Sequence, residues 1–292
     1  MQKIKITCDS TCDLSPELYE KYDISAIPLG VTLGDDFHHD GVDVTAQEIF
    51  SFVDKTGVLP KTSAISMGEY TDFFKPYLDA GYAIIHINIS SDFSICYQNA
   101  CLAARELGNV YPVDSRNLST GSGHLALCAA EMAQQGMDAE AIAAELTKLQ
   151  SRVDTSFVLQ TLEYLKKGGR CSSVVALGAN LLSLRPEIDV TGGKMQVGKK
   201  YRGKMEKSIL DYVRGRLQGR EDIETKRIFI THSYVPQEIV DKVVALIREL
   251  QPFTEILETK SGYIFRSWGG TFAEYFNAPA DKLYKLDDKV PY

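Results

Sequence analysis

Short apolar runs alternate with amphipathic stretches through the first half of the chain. Strand-like runs lie at residues 3–8, 24–33, 82–89 and 110–113, and helix-like patterns lie at 45–55, 67–79, 94–107, 121–135 and 138–152. Strands separated by helices of about 10–15 residues indicate βαβ units, because parallel strands need a crossover connection between them. The pattern therefore predicts an α/β domain built on a mainly parallel sheet.

The second half orders its elements differently. A hairpin pattern at residues 187–197 turns on Thr191-Gly192-Gly193, and further strand-like and helix-like patterns lie at 155–161, 205–218, 227–230, 236–250 and 256–259. This mixture is typical of an α+β domain. We therefore predict an N-terminal α/β domain at residues 1–152 and a C-terminal α+β domain at residues 153–292. The cleft between two domains is the expected place for a ligand.

The composition predicts a folded protein. Of the 292 residues, 44% are hydrophobic and 24% are charged, which is enough for a buried core. The apolar runs are far shorter than the ~20 residues of a membrane span, and no secretory leader pattern is visible. The formal charge of −7 argues against nonspecific nucleic-acid binding. We expect a cytoplasmic protein whose six cysteines remain thiols.

Motifs that would indicate a self-contained enzyme are absent from the sequence. Gly121-Ser122-Gly123 lacks the spacing of a phosphate loop or a nucleophile elbow, so close helix packing is the preferred interpretation. His38 and His39 lie among aspartates, but adjacent residues of a strand point to opposite faces and rarely share a metal ion. We interpret them as part of a solvated acidic loop. The prediction is a chain with no metal, no cofactor and no catalytic residues of its own.

Hydroxyl-rich segments at Asp9-Ser10-Thr11, Lys61-Thr62-Ser63 and residues 90–94 are the strongest indication of a binding site. Each segment taken alone is typical of a helix cap. Loops that follow parallel strands gather at the carboxyl edge of the sheet, where exposed helix N-termini favour an anion. If the segments converge at that edge, they predict a site for a phosphate or a carboxylate.

A basic segment stands out in this acidic chain. Its members are Lys194, Lys199, Lys200, Arg202, Lys204 and Lys207. They form either a solvated face or a docking surface for an acidic partner, and the sequence leaves both interpretations open.

Taken in order, the motifs of the chain resemble those of the DegV family, which includes the fatty-acid-binding subunits of bacterial fatty acid kinase. The match spans almost the whole chain, and the ordered set is more specific than any of its members. The matching pieces are residues 7–14, Ile27-Pro28-Leu29, Asp40-Gly41-Val42-Asp43, Lys61-Thr62-Ser63, residues 89–94 with Tyr97-Gln98, Val113-Asp114-Ser115, residues 161–170, residues 181–186 and Thr231-His232.

The resemblance implies that a long-chain fatty acid lies buried between two domains. In the family, a separate kinase phosphorylates the bound carboxylate to an acyl phosphate, so this chain would present the substrate without catalysing the reaction. Thr62 and Ser94 match the hydroxyls that hold the carboxylate, and Ser63 is adjacent. Arg170 matches an arginine near the head group. Arg202, with Lys199 and Lys200 in the same segment, falls where family members meet the kinase.

The chain differs from the family pattern at two places near the expected head group. Family members usually read Leu-Ser-Gly-Thr-Tyr where this chain reads Phe93-Ser94-Ile95-Cys96-Tyr97, so Ile95 replaces a glycine. Trp268 stands at the approximate position of a family histidine that helps to bind the carboxylate, and it carries no charge. Arg266 either supplies a cation in its place or is simply exposed.

Two other functions remain open at the level of sequence. The differences at Ile95 and Trp268 are compatible with a binding module for another lipid or an elongated anion. A stand-alone phosphotransferase or hydrolase would use Asp9 and the hydroxyls near it. A transient contact with a membrane is also compatible with a lipid ligand, although no segment is expected to span one.

Overall fold

The computed structural model of the chain describes residues 2–159, 165, 169–172, 184–233, 235–260 and 272–277. The chain divides into two units, Met1–Ser151 and Arg152–Tyr292. The elements of the first unit are β1 (Lys3–Asp9), α1 (Pro16–Lys21), β2 (Ile24–Ile27), β3 (Gly30–Leu33), β4 (Asp36–His39), α2 (Ala46–Thr56), β5 (Lys61–Ser63), α3 (Met67–Asp79), β6 (Tyr82–Asn88), α4 (Cys96–Leu107), β7 (Val110–Asp114), α5 (Ser119–Gln134) and α6 (Ala139–Leu149).

A parallel sheet with the strand order β2-β1-β6-β7 organises the first unit. Ile84, Ile85 and Ile87 of β6 are fully buried, as expected for a parallel strand that is covered on both faces. Helices α3 and α4 pack against each other and against the sheet, and so do α5 and α6. The predicted α/β fold of this half is confirmed.

Local sequence signals determine where two of the helices begin. Thr45 and Ser66 each accept the backbone N–H of a glutamate three residues later, and that glutamate, Glu48 or Glu69, accepts the N–H of the cap residue in return. This reciprocal arrangement satisfies donors that the first helical turn leaves unpaired. The predicted span of α3 is therefore confirmed. Helix α4 begins at Cys96, two residues later than predicted.

Small residues allow α5 to pack closely within the first unit. Gly121, Ser122 and Gly123 are buried, and a Cβ placed on Gly123 would lie 2.7 Å from the carbonyl oxygen of Cys12. The same Cβ would lie 2.7 Å from a methyl carbon of Leu14. Close packing is thereby confirmed as the role of the Gly-Ser-Gly sequence.

A small antiparallel sheet with the order β4-β3-β5 corrects two sequence-based predictions. Residues 61–63 form β5, paired with β3, instead of a loop at the carboxyl edge of the parallel sheet. Three polar residues have little strand preference of their own, so pairing with β3 decides their conformation. His38 and His39 lie on β4 rather than in a loop, and their Nδ1 atoms lie 3.7 and 3.5 Å from the carboxylate of Asp43.

The second unit contains a mixed sheet with helices. Its elements are β8 (Asp154–Val158), β9 (Leu184–Thr191), β10 (Lys194–Arg202), α7 (Met205–Leu217), β11 (Arg227–Ser233), α8 (Gln237–Leu250), β12 (Glu255–Lys260) and β13 (Phe272–Asn277). The strand order is β10-β9-β8-β13-β11-β12, in which only β11 and β12 pair in parallel. The predicted α+β character is confirmed.

Among the described residues, the sheet of the second unit contains one strand beyond those predicted. The strand pattern at 256–259 was expected to be the last, yet β13 follows it and inserts between β8 and β11. Helices α7 and α8 cover the sheet through one hydrophobic cluster that includes Tyr212, Val213, Val243, Ile247 and Ile228. Within the part of the chain that the structure describes, no helix is long and apolar enough to cross a membrane.

Candidate functional site at the carboxyl edge of the parallel sheet

The strand order of the parallel sheet places a switch point between β1 and β6. The chain proceeds from β1 to β2 on one side, whereas β6 and β7 lie on the other side. Ligands of open α/β sheets bind outside the carboxyl ends of the strands at such a point. Here those ends carry Asp9 on β1 and the segment from Ile89 to Ser94 after β6.

The carboxylate of Asp9 lies at this point and is completely buried. It accepts hydrogen bonds from the Tyr70 hydroxyl at 2.7 Å and from the Ile89 backbone N–H at 2.9 Å. The His86 ring nitrogen Nε2 is 3.1 Å away, and the Asn88 amide donates at 3.3 Å. Asp9 therefore joins β1, β6 and α3. A carboxylate with so many partners and no exposure is a structural group, which weighs against its use as the acid or base of a stand-alone enzyme.

Ser10 connects the next two motifs to the same edge. Its hydroxyl donates to Asp40 at 2.6 Å and accepts the backbone N–H of Leu29 at 3.2 Å. The backbone N–H of Asp40 in turn donates to the carbonyl oxygen of Leu29 at 2.9 Å. The motifs around residues 9, 28 and 41 are thus held together by hydrogen bonds within the scaffold.

Ser91 also has a structural partner. Its hydroxyl and its backbone N–H both donate to Asp114 at the end of β7, at 2.6 and 3.1 Å. The other end of the segment is held differently, because Ser94 lies in the last turn before α4 and is only partly buried. Its oxygen accepts the backbone N–H of Cys96 at 3.2 Å, and its hydroxyl donates to the Cys96 sulfur at 3.0 Å. Among the serines of this segment, Ser94 thus combines partial exposure with a position at the start of a helix.

The first turn of α4 provides further donors beside Ser94. The backbone N–H groups of Tyr97 and Gln98 lie in this turn, where an α-helix has no carbonyl partner for them. A helix N-terminus carries a partial positive charge and favours an anion. Together with the Ser94 hydroxyl, these groups form an arrangement that suits a carboxylate or a phosphate.

Strand β5 carries Thr62 and Ser63, and the residues that follow it contact α4. The Asn99 side chain of α4 donates to the carbonyl oxygen of Ile65 at 2.7 Å, only three residues after Thr62. Thr62 is exposed and pairs with the buried Val31. The Ser63 hydroxyl lies over Gly30, on the opposite face of β5. The Asn99 bond thus joins α4 to the residues that follow β5, and the Ser63 side chain is turned away from Thr62.

The other predicted head-group residues are less closely described. Arg170 is exposed. Arg266 and Trp268 lie outside the described residues. No group of histidine, cysteine or carboxylate side chains able to hold a metal ion occurs in the described ranges.

The predicted docking residues lie on β10, an edge strand of the second sheet. Lys199, Lys200 and Arg202 are exposed. The pairing of β10 with β9 shifts between Val197 and Lys200, and this bulge lets two consecutive lysines face solvent. Charged residues on an edge strand also discourage unwanted strand pairing, so this surface has a structural explanation as well.

A cluster of charges anchors β9 beneath this basic strand. The guanidinium group of Arg216 contacts Glu187 and Asp189, both at 3.0 Å, and also Asp154. Burial opposes the charge of Arg216, but these carboxylates raise its pKa overall. Burial and the neighbouring Glu187 raise the pKa of Asp189 to about 7, although Arg216 lowers it.

The side chains that hold Asp9 are missing from the sequence-based prediction. His86 and Asn88 could have been identified, because both are polar residues in an otherwise apolar strand and such residues are buried only with hydrogen-bond partners. Tyr70 and Cys96 gave no comparable signal, since each resembles an ordinary residue of an amphipathic helix.

Comparisons with known proteins agree with this architecture. The family model described as "Uncharacterised protein, DegV family" matches residues 3–274. A DegV domain-containing protein of Clostridium perfringens is 36% identical over 215 residues, which cover 72% of this chain and 77% of that protein.

Solved structures of two relatives share the fold. The structure describing fatty acid binding of a DegV family protein from Thermus thermophilus has a TM-score of 0.82 and 29% identity, and covers 95% of this chain and 100% of that one. DegV of Bacillus subtilis, described as a fatty acid binding protein, has a TM-score of 0.78 and 25% identity with the same coverage.

Proposed function

Because the chain belongs to the DegV family, we propose that it binds a long-chain fatty acid and presents the carboxylate to a separate kinase. The descriptions of the relatives from Thermus thermophilus and Bacillus subtilis as fatty acid binding support the ligand class. The observation that carries the proposal is the partly buried Ser94 hydroxyl beside the first turn of α4, at the carboxyl edge of the parallel sheet.

The physical chemistry of a fatty acid agrees with such a site. Burial of an acyl chain contributes about 0.8 kcal/mol per methylene group, so the tail can supply most of the affinity. The carboxylate must keep its hydrogen bonds on burial, or several kcal/mol are lost to desolvation. The hydroxyls of Thr62 and Ser94 and the amides of α4 provide neutral donors. Hydroxyl and amide donors leave more electron density on the carboxylate oxygen that attacks phosphorus than a direct ion pair would.

The remaining residues of the proposed head-group site come from the family pattern. Ser63 would lie next to Thr62 on the same strand, at the edge of the head-group site. Arg170, Arg266 and Trp268 would lie near the carboxylate from the second half of the chain. Lys199, Lys200 and Arg202 would form the surface that meets the kinase, and their exposure on an edge strand supports this assignment.

The identity of the ligand can be tested on the native protein. Protein purified without added lipid and extracted with solvent should release about one fatty acid per chain, identified by mass spectrometry. Repeated preparations that are empty and that fail to bind added palmitate would contradict the proposal. A different co-purified lipid or elongated anion would instead identify another binding module.

The presentation step needs a second experiment. With fatty acid, ATP and magnesium, addition of a fatty acid kinase subunit should yield acyl phosphate and equimolar ADP, as a carboxylate oxygen attacks the γ-phosphorus and ADP leaves. The chain alone should give no turnover, and turnover by the chain alone would favour a stand-alone enzyme. Arg202→Glu should slow the kinase reaction without changing fatty acid affinity, whereas Arg248→Glu, also exposed but on α8, should leave both unchanged.

A further inference from the structure

The hydroxyl of Ser94 is already engaged in the chain as it stands. Its proton is donated to the Cys96 sulfur at 3.0 Å, while its oxygen accepts the Cys96 backbone N–H at 3.2 Å. A ligand carboxylate that accepts a hydrogen bond from Ser94 must therefore displace the thiol as the acceptor. The bond from the Cys96 N–H to the Ser94 oxygen can persist, because it uses a lone pair of that oxygen and not the hydroxyl proton.

The thiol of Cys96 has little room to move. It is fully buried, beside the Tyr70 hydroxyl and the backbone of Ile65. Tyr70 has a single hydroxyl proton, which is donated to Asp9 at 2.7 Å. The Tyr70 oxygen accepts the side-chain N–H of Asn88 at 3.0 Å, so the Tyr70 hydroxyl is itself held in place. The Cys96 sulfur accepts the hydroxyl proton of Ser94.

We propose that Cys96 is a positioning residue for the fatty acid head group, which holds the Ser94 hydroxyl by an O–H···S bond that the carboxylate replaces. The inference rests on the proposed function and adds a residue to it. Ser94 donates to Cys96, which lies beside Tyr70, and Tyr70 donates to the buried carboxylate of Asp9.

A sulfur acceptor allows the Ser94 hydroxyl to be held in position and still to be available to the carboxylate of the ligand. A thioether or thiol sulfur is a weak acceptor, so the bond fixes the Ser94 rotamer but is easily exchanged for a bond to a charged carboxylate. Water or a second hydroxyl would hold the proton more strongly. Burial, with the nearby Asp9 carboxylate, raises the pKa of Cys96, so the thiol keeps its proton at neutral pH.

Binding measurements on four variants test the inference. Cys96→Ala should bind palmitate about twofold to tenfold more weakly than the wild type, because the Ser94 side chain is no longer fixed in its rotamer before the carboxylate arrives and must be ordered on binding. If Cys96 acts through Ser94, the double variant Ser94→Ala with Cys96→Ala should bind no more weakly than Ser94→Ala alone. Cys101→Ala removes a half-buried thiol from the same helix and should bind as the wild type does.

Infrared spectroscopy of the unmutated protein provides a readout that a purely structural role would not move. The S–H stretching band of Cys96, assigned by its loss in Cys96→Ala, should shift when palmitate binds, because the sulfur loses its donor. The shift should be absent in Ser94→Ala. If Cys96→Ala does not fold, the band is assigned instead by its shift in the wild type and by the absence of that shift in Ser94→Ala.

The results separate this inference from the proposed function. Absence of palmitate binding by the wild type would overturn both. Normal binding that weakens in Ser94→Ala, with an unchanged affinity in Cys96→Ala and an unshifted S–H band, would overturn only the role of Cys96. Additive losses in the double variant would likewise show that Cys96 does not act through Ser94.

Discussion

The backbone N–H of Ile89 donates to the carboxylate of Asp9 at 2.9 Å and so joins the carboxyl ends of β6 and β1. These two strands flank the switch point of the parallel sheet. The bond fixes the start of the segment that leads to Ser94, and the hydroxyl proposed to hold a carboxylate is therefore set by a residue that is itself completely buried.

Removal of the Asp9 carboxylate should destabilise the first unit strongly. Asp9→Ala leaves the donors of Tyr70, Asn88 and Ile89 unpaired in the interior, and we expect a loss of about 3–5 kcal/mol in urea unfolding. Tyr70→Phe removes one hydrogen bond to the carboxylate and should cost about 1.5–3 kcal/mol. Tyr77→Phe on the same helix, at a half-exposed position, should change stability by less than about 0.5 kcal/mol. A wild-type stability for Asp9→Ala would mean that the buried network does not hold the fold.

The proposed head-group hydroxyls should contribute measurably to affinity. Thr62→Ala and Ser94→Ala should each weaken palmitate binding by about 1–3 kcal/mol, because the buried carboxylate of the ligand would lose one of its hydrogen-bond donors. Isothermal titration calorimetry measures this directly. Thr147→Ala removes an exposed hydroxyl from α6 and serves as the matched control. Wild-type affinity in both Thr62→Ala and Ser94→Ala would show that the head group binds elsewhere.

Close packing of α5 predicts opposite effects for two glycine substitutions. Gly123→Ala would place its Cβ 2.7 Å from Cys12 and Leu14, and the resulting overpacking should lower the free energy of unfolding by about 1–3 kcal/mol. Gly68→Ala on α3 meets no atom nearer than 3.9 Å and should be neutral or stabilising by up to about 1 kcal/mol. Equal melting temperatures for the two variants would contradict the packing described for α5.

Asp189 should give the stability a pH dependence near neutrality. Its pKa is about 7 in the folded protein and about 3.9 in the unfolded chain. The folded state therefore binds this proton more tightly, and the associated stability is complete below about pH 4 and is lost as the pH rises through about 7. The melting temperature of Asp189→Asn, relative to wild type, should rise between about pH 5 and pH 8.

A matched carboxylate controls for this effect. Arg220 lowers the pKa of Asp222 by a hydrogen bond, so the stability from Asp222 is lost only as the pH falls toward its lowered pKa. Asp222→Asn should therefore show a constant difference from wild type over the same range. A flat difference for Asp189→Asn as well would rule out the raised pKa of Asp189.

Signals within a few residues were sufficient to predict most of the helices and strands. The capping boxes at Thr45 and Ser66 lie within four residues of sequence, and the span of α3 follows from one of them. The apolar runs that become β1 and β6 could be recognised as strands because a strand that is buried on both faces is apolar along most of its length. The two fold classes follow from the order of such elements.

Elements whose conformation depends on a distant partner escaped prediction. Residues 61–63 become a strand only because β3 supplies the matching backbone groups. Strand β13 lies between β8 and β11, far from both in sequence. Strand pairing satisfies the donors and acceptors of two separate segments, so neither segment carries the full information.

The sequence by itself determined the alternation of elements, the starts of the capped helices and the presence of hydroxyl-rich segments, because these depend on local backbone energetics and the periodicity of apolar residues. Only the tertiary structure decided which of those hydroxyls are already hydrogen-bonded to other residues of the protein. Ser10 and Ser91 are engaged by Asp40 and Asp114, whereas Ser94 keeps only a weak sulfur acceptor. The hydrogen-bond partner of a buried polar group depends on which residues pack beside it in the folded protein. These residues can be far from the group in sequence, so the sequence around it does not identify them.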